Sequence, residues 1–440
     1  MPEQKRTTAA SEPRIIALQL LRAVLREETP LDTALAQSKG LARLTPRDRA
    51  FARNLVAGTL RRLGQLDAVI DQVLDRPLKS SLADVQDLLR LGAYQLLVLK
   101  TPAHAAVSAT VALARGRRLQ GYRGLVNAVL RRIARDFTAP PPEPELARLC
   151  TPAWLWDAWT AAYGEDTARA IALAHLREPP LDLTVKADPE TWAESLGAKR
   201  LPTGTLRLPP GTGDVARLPG YDAGAWWVQD AAAALPARLL GDIAGQSVID
   251  LCAAPGGKTA QLAAAGARVI AVDRAPARLQ TLRGNLQRLD LQAAVVEADA
   301  ATWRPPAPAD AVLLDAPCSS TGTLRRHPDI AHLKGPESIP PLLALQDRLL
   351  AAAVAMLRPG GVLVYATCSL QPEEGPARIA ALLDSTNDSA RRFERQPITP
   401  ADIGGLGELI TAEGDLRSLP CHLSASGGID GFYACRLIRH

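Results

Sequence analysis

Residues 247–259 constrain this chain more than any other stretch. Ser247 to Cys252 reads as a short buried strand, with Val248, Ile249 and Leu251 apolar and Asp250 near its end. Gly256 and Gly257 follow, and a helical segment begins near Thr259. A strand, a glycine-rich turn and a helix N-terminus bring backbone N–H groups close to a polar ligand. The phosphate-cradling loop of nucleotide hydrolases would need Gly at position 252 ahead of Gly257-Lys258-Thr259, and Cys252 stands there. The three spaced glycines of the dinucleotide fingerprint are absent as well. A different nucleoside-type ligand is left.

From Ser247 onward strands and helices alternate, which predicts a parallel sheet with covering helices. The strands are expected at 247–252, 268–272, 293–297, 310–315 and 361–367, with Gly431 to Ile438 as an added edge strand. Ligands of such sheets lie at the C-terminal strand ends. The second strand ends in Asp273, placed to bind ribose hydroxyls or to cap the following helix. The third ends Glu297-Ala-Asp299, suited to an adenine amino group. The turn with Asp273 and Asp299 points to an adenosine-containing cofactor. The fourth ends Asp315-Ala-Pro-Cys318 and the fifth Thr367-Cys368-Ser369. One strand-end cysteine is ordinarily a small buried hydrophobe. Two that converge on one crevice, with an acid beside one of them, suggest chemistry.

The rest of the chain is organised around that unit. At 440 residues it is long enough for about three domains. Residues 1–140 are expected to form one all-helical domain: Ile15, Leu18, Leu21 and Leu25 recur at helical spacing, and Thr45-Pro46 is a helix start. This region holds 23 Lys/Arg against 12 Asp/Glu, whereas the other 300 residues hold 28 against 34. Basic runs stand at Arg61-Arg62, Arg115-Gly-Arg117-Arg118 and Arg131-Arg132. The excess suggests a polyanion partner, though a protein-docking bundle would look similar. The proline-rich stretch 139–144 reads as a linker. Residues 145–235 are expected to form a helical stretch rich in Trp, read as core, followed by a small α+β module with strands at 181–185, 206–208 and 226–228. Residues 236–440 complete the catalytic domain. The six cysteines contain no C-x-x-C pair, so structural zinc is not expected, nor are disulfides. No stretch reads as a membrane span or a secretory leader, so a cytoplasmic protein is expected.

Four motifs in this order match a family. Asp250-Leu-Cys-Ala-Ala-Pro-Gly-Gly-Lys-Thr259, Asp315-Ala-Pro-Cys-Ser319, Arg326-His-Pro-Asp-Ile330 and Tyr365-Ala-Thr-Cys-Ser369 resemble those of the RNA 5-methylcytosine methyltransferases of the Sun/Fmu type. The helical N-terminus resembles the NusB-like RNA-binding domain of the bacterial branch. Two positions depart from that branch: His332, where it tends to carry Trp, and Asp430-Gly-Phe-Tyr-Ala434, one aromatic shorter. The resemblance implies a class I, Rossmann-like α/β methyltransferase domain preceded by a small α+β, RRM-like module and a NusB-like all-α domain. It implies a monomer without metal that uses S-adenosyl-L-methionine to methylate carbon-5 of a cytosine in small-subunit ribosomal RNA. It also assigns roles. Cys368 is the nucleophile, Asp315 contacts the ring at N3, and Cys318 assists breakdown of the covalent adduct. The cofactor set is Cys252, Ala253, Ala254, Pro255, Gly256, Gly257, Lys258, Asp273, Arg278, Asp299 and Asp315, with the Cys252 side chain itself read as packing.

Carbon-5 of cytosine is a poor nucleophile. Addition of a thiolate at carbon-6 makes an enamine whose carbon-5 can attack a sulfonium methyl group. Charge develops toward N3, where an acid stabilises it. Pro317-Cys318 alone would also fit the DNA enzymes, whereas Thr367-Cys368 is the RNA-type feature. Lys258 could face the methionine carboxylate or pair with Asp315. Arg325 and Arg326 are expected either to meet RNA phosphate or to belong to a packed basic loop. A non-catalytic RNA-binding assembly factor on the same fold is the rival from another class, and it would have no need of Cys318, Cys368 and Asp315.

Overall fold

The computed structural model describes residues 3–116, 119–137, 141–386 and 393–440. Arg117 and Arg118 of one expected basic run, and the first two residues of the expected linker, lie outside them. The chain divides into two compact units, Met1–Arg177 with Leu324–Gly335, and Glu178–Thr323 with Pro336–His440.

The first unit is helical among its described residues. Its helices are α1 (Glu3–Glu27), α2 (Leu31–Gln37), α3 (Lys39–Arg43), α4 (Pro46–Arg61), α5 (Leu63–Val73), α6 (Ala83–Leu97), α7 (Ala103–Leu113), α8 (Arg123–Asp136), α9 (Glu143–Leu149), α10 (Ala153–Tyr163) and α11 (Glu165–His175). The expected start of α4 is present: Thr45 Oγ1 accepts from the Asp48 N–H at 3.2 Å, with Pro46 at the first helical position. The 3.6-residue pattern buries Leu21, Leu55, Leu66, Leu89 and Leu130 in one core. Each such leucine contributes about 1.5–3 kcal/mol relative to exposure. Of the three tryptophans of α10, Trp159 is buried, while Trp154 and Trp156 are half-buried and Arg148 stacks over Trp156. Residues 324–335 are part of this unit. The Asp329 carboxylate accepts from the Leu31 N–H at 2.9 Å, supplying α2 with the cap that Pro30 lacks. The His332 Nε2–H donates to the Leu60 carbonyl at 2.8 Å, and Leu333 packs on the helical core.

The second unit holds two sheets. The smaller is antiparallel, in the order β2–β3–β1–β4, from β1 (Leu181–Val185), β2 (Lys199–Arg200), β3 (Leu206–Leu208) and β4 (Trp226–Val228), with α12 (Pro189–Leu196). A buried bidentate pair, Arg207 to Asp182 at 2.7 and 2.6 Å, joins β3 to β1. Arg207 also donates to the carbonyls of Ser426 and Gly428.

The larger sheet runs β10–β12–β9–β8–β5–β6–β7, with β11 paired to β12. Its strands are β5 (Ser247–Leu251), β6 (Arg268–Asp273), β7 (Ala294–Glu297), β8 (Ala309–Asp315), β9 (Leu357–Thr367), β10 (Phe393–Arg395), β11 (Leu416–Ser418) and β12 (Phe432–Arg439). The five expected strands are there and run parallel. The last strand corrects an expectation. β12 is antiparallel to β9, and β10 and β11 pair with it on its far side, so it is not an edge. A strand lying inside a sheet can bury both faces, which suits the apolar run of β12. The helices are α13 (Leu235–Arg238), α14 (Gly257–Ala264), α15 (Pro276–Leu289), α16 (Ile330–Leu333, placed in the first unit), α17 (Ile339–Met356) and α18 (Pro376–Thr386). Residues 336–356 are, against expectation, long and apolar enough to cross a membrane by length and composition. Leu349, Leu350 and Ala353 of α17 nevertheless sit in the sheet core, and Asp347 and Arg348 are exposed on its other side.

Candidate active site

The turn after β5 is shaped by two residues in the left-handed region, Cys252 at φ 61° and Gly256 at φ 103°. A Cβ on Gly256 would also stand 2.9 Å from Leu282 Cγ, so this position needs glycine both for its φ and for space. Asp273, at the end of the neighbouring strand β6, anchors the turn. Its Oδ2 accepts from the Ala254 N–H at 3.1 Å and its Oδ1 from the Ala275 N–H at 2.9 Å. The N-cap position of α15 falls on Ala275, so Asp273 serves the turn rather than capping the helix. Arg278 donates to the Ala254 carbonyl, with a guanidinium nitrogen 3.8 Å from Asp273. Asp299 follows β7 as an exposed carboxylate whose Oδ1 accepts from the Ala301 N–H at 3.0 Å. The Cys252 side chain packs against the sheet core, and burial pushes its thiol up to about 12. Its reading as packing fits this geometry.

Beneath the turn Asp250 is fully buried. Its Oδ2 accepts from Thr259 Oγ1 at 2.6 Å, and its Oδ1 has no hydrogen-bond partner. Burial pushes its carboxyl up to about 7, against the opposing pull of the Thr259 hydrogen bond. An orphaned buried oxygen, a turn that admits only glycine at Gly256, and carboxylates at the ends of β6 and after β7 fit an adenosine-bearing ligand.

Lys258, in the first turn of α14, donates to Asp315 Oδ2 at 2.7 Å. Of the two roles open to it in the sequence, this is the one the side chain adopts. Burial opposes its charge, but Asp315 outweighs that effect and raises the ammonium above its ordinary range. Its Nζ also lies 5.2 Å from the Phe432 ring centroid.

The loops after β8 and β9 bring the two cysteines together. Cys318 Sγ and Cys368 Sγ are 3.4 Å apart. The hydrogen bond from Cys318 lowers Cys368 below an ordinary thiol. Burial and Asp315 oppose that shift, while Ser320 and Lys258 assist it. Cys318 moves the other way, raised well above its ordinary value by its bond to Cys368, by burial and by the charges of Cys368 and Glu374. The pair is thus polarised: its surroundings favour the anion on Cys368 and the proton on Cys318. Backbone contacts hold the loops together. Gly322 N–H donates to the Cys368 carbonyl at 3.0 Å, and Gly431 N–H donates to the Gly322 carbonyl at 2.8 Å. A Cβ on Gly322 would stand 2.0 Å from Gly431 O, so only glycine permits this approach.

Two further placements bear on the site. Arg325, expected at a phosphate or in a packed loop, is 1% exposed and takes the packed alternative, with its carbonyl accepting from Arg61 at 2.8 Å. Glu374 is fully buried behind the cysteines, where its carboxylate accepts from Ser319 and Gln346. The only signal for it in the sequence is an acid six residues after Cys368, beside a second acid, which reads as a solvated helix start.

A glycine-rich turn on the first of five parallel strands, acids at successive strand ends and a cysteine pair opposite define a Rossmann-like methyltransferase. Residues 237–438 match the 16S rRNA methyltransferase RsmB/F family, and residues 11–135 match the NusB family. The chain is 38% identical to ribosomal RNA small subunit methyltransferase B of Pseudomonas putida, covering 97% of this chain and 98% of that one. It is also 38% identical to the protein of the same name from Pseudomonas syringae pv. tomato, covering 97% of each. The crystal structure of PH0851 superposes with a TM-score of 0.75 at 22% identity, covering 97% of this chain and 98% of that one, and so shares the fold. The chain belongs to the ribosomal RNA small subunit methyltransferase B family and is a methyltransferase with a NusB helical domain ahead of its Rossmann-like domain.

Proposed function

We propose that this enzyme methylates carbon-5 of a cytosine in 16S ribosomal RNA through a covalent bond between Cys368 and carbon-6 of the base. One observation carries the reading: the Cys318 and Cys368 sulfurs meet at 3.4 Å, at the strand ends where Lys258 holds Asp315. The names of the relatives supply the class of RNA.

S-adenosylmethionine, when bound, supplies an electrophilic methyl group. The turn from Ala253 to Lys258, with Asp273, Arg278 and Asp299, would hold it. Cys368 adds as thiolate to carbon-6, forming the C–S bond and moving the ring π pair onto carbon-5. Asp315, fixed as a carboxylate by Lys258, faces N3 and accepts a hydrogen bond from a proton that the base carries there, so the charge that addition pushes toward N3 is neutralised. After transfer, a base takes the carbon-5 proton, the C–S bond breaks and its electron pair returns to Cys368. Cys318, still protonated, donates to that departing thiolate and so favours release. Addition needs the anion and release needs a donor, and the polarised pair supplies both.

A base inside a duplex cannot reach this crevice, so the substrate is single-stranded or flipped out. Arg43, Arg47, Arg115, Arg123 and Arg131 are exposed on the first unit and would meet phosphate. Binding should then weaken with salt by a slope of about −0.7 per phosphate contacted. The test is methyl transfer from labelled S-adenosylmethionine to unmodified 16S rRNA, followed by mapping of the product. 5-Methylcytosine at one position supports the reading, and label on an exocyclic amine or a ribose would overturn it.

A further inference from the structure

We propose that Glu374 is a positioning residue that sets the distance between Cys318 and Cys368, and thereby the release of the adduct. This rests on the reading above, in which Cys318 serves that step.

Glu374 grips both cysteine-bearing segments at once. Its carboxylate reaches the Cys318 side. Oε1 accepts from the Ser319 N–H at 2.8 Å and from Gln346 Nε2 at 3.1 Å, and Oε2 accepts from the Ser319 hydroxyl. Gln346, from α17, also donates to the Pro317 carbonyl at 2.9 Å. Both neighbours of Cys318 are therefore tied to one buried acid. Its backbone reaches the Cys368 side. The Glu374 carbonyl accepts from the Tyr365 hydroxyl at 2.8 Å and the Thr367 hydroxyl at 3.3 Å, both on β9 immediately before Cys368. Ser319 Oγ and Ser369 Oγ, the residues following the two cysteines, lie 2.9 Å apart.

The chemistry explains why an acid stands here. Three donors converge, and a carboxylate is the side chain with acceptor sites alone. Burying it is costly unless every donor is well placed, so it fixes geometry more tightly than a hydrophobic residue would. Cys368 has further supports of its own, as the residue directly after strand β9 and through the Gly322 N–H. Loss of the carboxylate therefore loosens Cys318 most. Addition and methyl transfer should survive while release slows.

The test uses the full-length enzyme and two readouts. The first is placement alone. Diamide takes two protons and two electrons from the thiols, and the rate of Cys318–Cys368 disulfide formation reports their proximity. Glu374→Ala should slow it by ~10- to 100-fold, as a misplacement of about 1 Å does for reacting groups, whereas Glu374→Gln should stay within about threefold of wild type. Wild-type disulfide rates in a folded Glu374→Ala protein overturn the proposal. Should that variant fail to fold, Gln346→Leu removes the tie to Pro317 and carries the same expectation. The second readout is an RNA adduct resistant to denaturing gels, which a merely structural defect would not produce. It should accumulate in Glu374→Ala as in Cys318→Ala. Slow disulfide formation with no adduct in either variant would leave the positioning role standing and overturn the release role of Cys318.

Discussion

Lys258 Nζ lies 2.7 Å from Asp315 Oδ2 and joins the turn after β5 to the end of β8. The ammonium is 11% exposed and the carboxylate 29%, so the pair is only partly screened by solvent. It therefore connects the candidate methyl-donor seat to the acid proposed to face the base.

Replacing Lys258 by Met leaves the Asp315 carboxylate without this partner. Breaking a partly buried pair costs about 1–3 kcal/mol, less than for a fully buried one. Urea melts should show that loss. Methyl transfer should fall by about 10- to 100-fold, because Asp315, the acid proposed to meet N3, loses its fixed position. Asp315→Asn should cost more in activity than in stability.

The polarised thiols predict a split in reactivity. Cys368 is lowered by its hydrogen bond from Cys318, and Cys318 is raised. Alkylation by iodoacetamide, followed by mass spectrometry across pH, should give a midpoint for Cys368 below the ordinary thiol value of about 8.5. Cys318→Ala should move that midpoint upward. A midpoint at or above the ordinary value in the wild type would contradict the polarisation.

His175 gives the first unit a pH-dependent stability. It is buried with its ring tilted against Trp159 at 5.3 Å, and burial, helped by Arg325 and Arg61, lowers it to about 3. The unfolded chain takes up this proton near pH 6.5, before the folded one does. The stabilisation is complete above that pH and drains by ~1.4 kcal/mol per unit as pH falls toward the folded value. His175→Phe should remove this component. Between pH 7.5 and pH 5 the wild type should lose about 2 kcal/mol more than the variant in urea titrations. Equal losses would show that the ring is not held neutral.

The five parallel strands were legible because each is a short apolar run ending in an acid or a cysteine, and a parallel sheet puts its ligands at those ends. β10 and β11 were not, since Phe393-Glu-Arg395 and Leu416-Arg-Ser418 each hold a single apolar residue, unlike Leu206-Arg-Leu208 and Trp226-Trp-Val228, and without them β12 looked like an edge. Arg325 was legible only as two alternatives, because an arginine suits a phosphate contact and a packed loop alike, and tertiary packing took the second. Glu374 was illegible because a pair of acids after a strand reads as a solvated helix start until the three donors around the second one are seen. The strand-end carboxylates and the two cysteines were legible as candidates by residue type, and the fold sets the two cysteine sulfurs 3.4 Å apart.

In the proposed mechanism Cys368 forms the covalent bond and Cys318 releases it. The most direct measurement incubates wild type, Cys368→Ala and Cys318→Ala with 16S rRNA and S-adenosylmethionine and resolves the products on a denaturing gel. Cys368→Ala should give no adduct and no methyl transfer, and Cys318→Ala should accumulate an RNA–protein adduct. An adduct in Cys368→Ala and none in Cys318→Ala would reverse the two roles and contradict that mechanism.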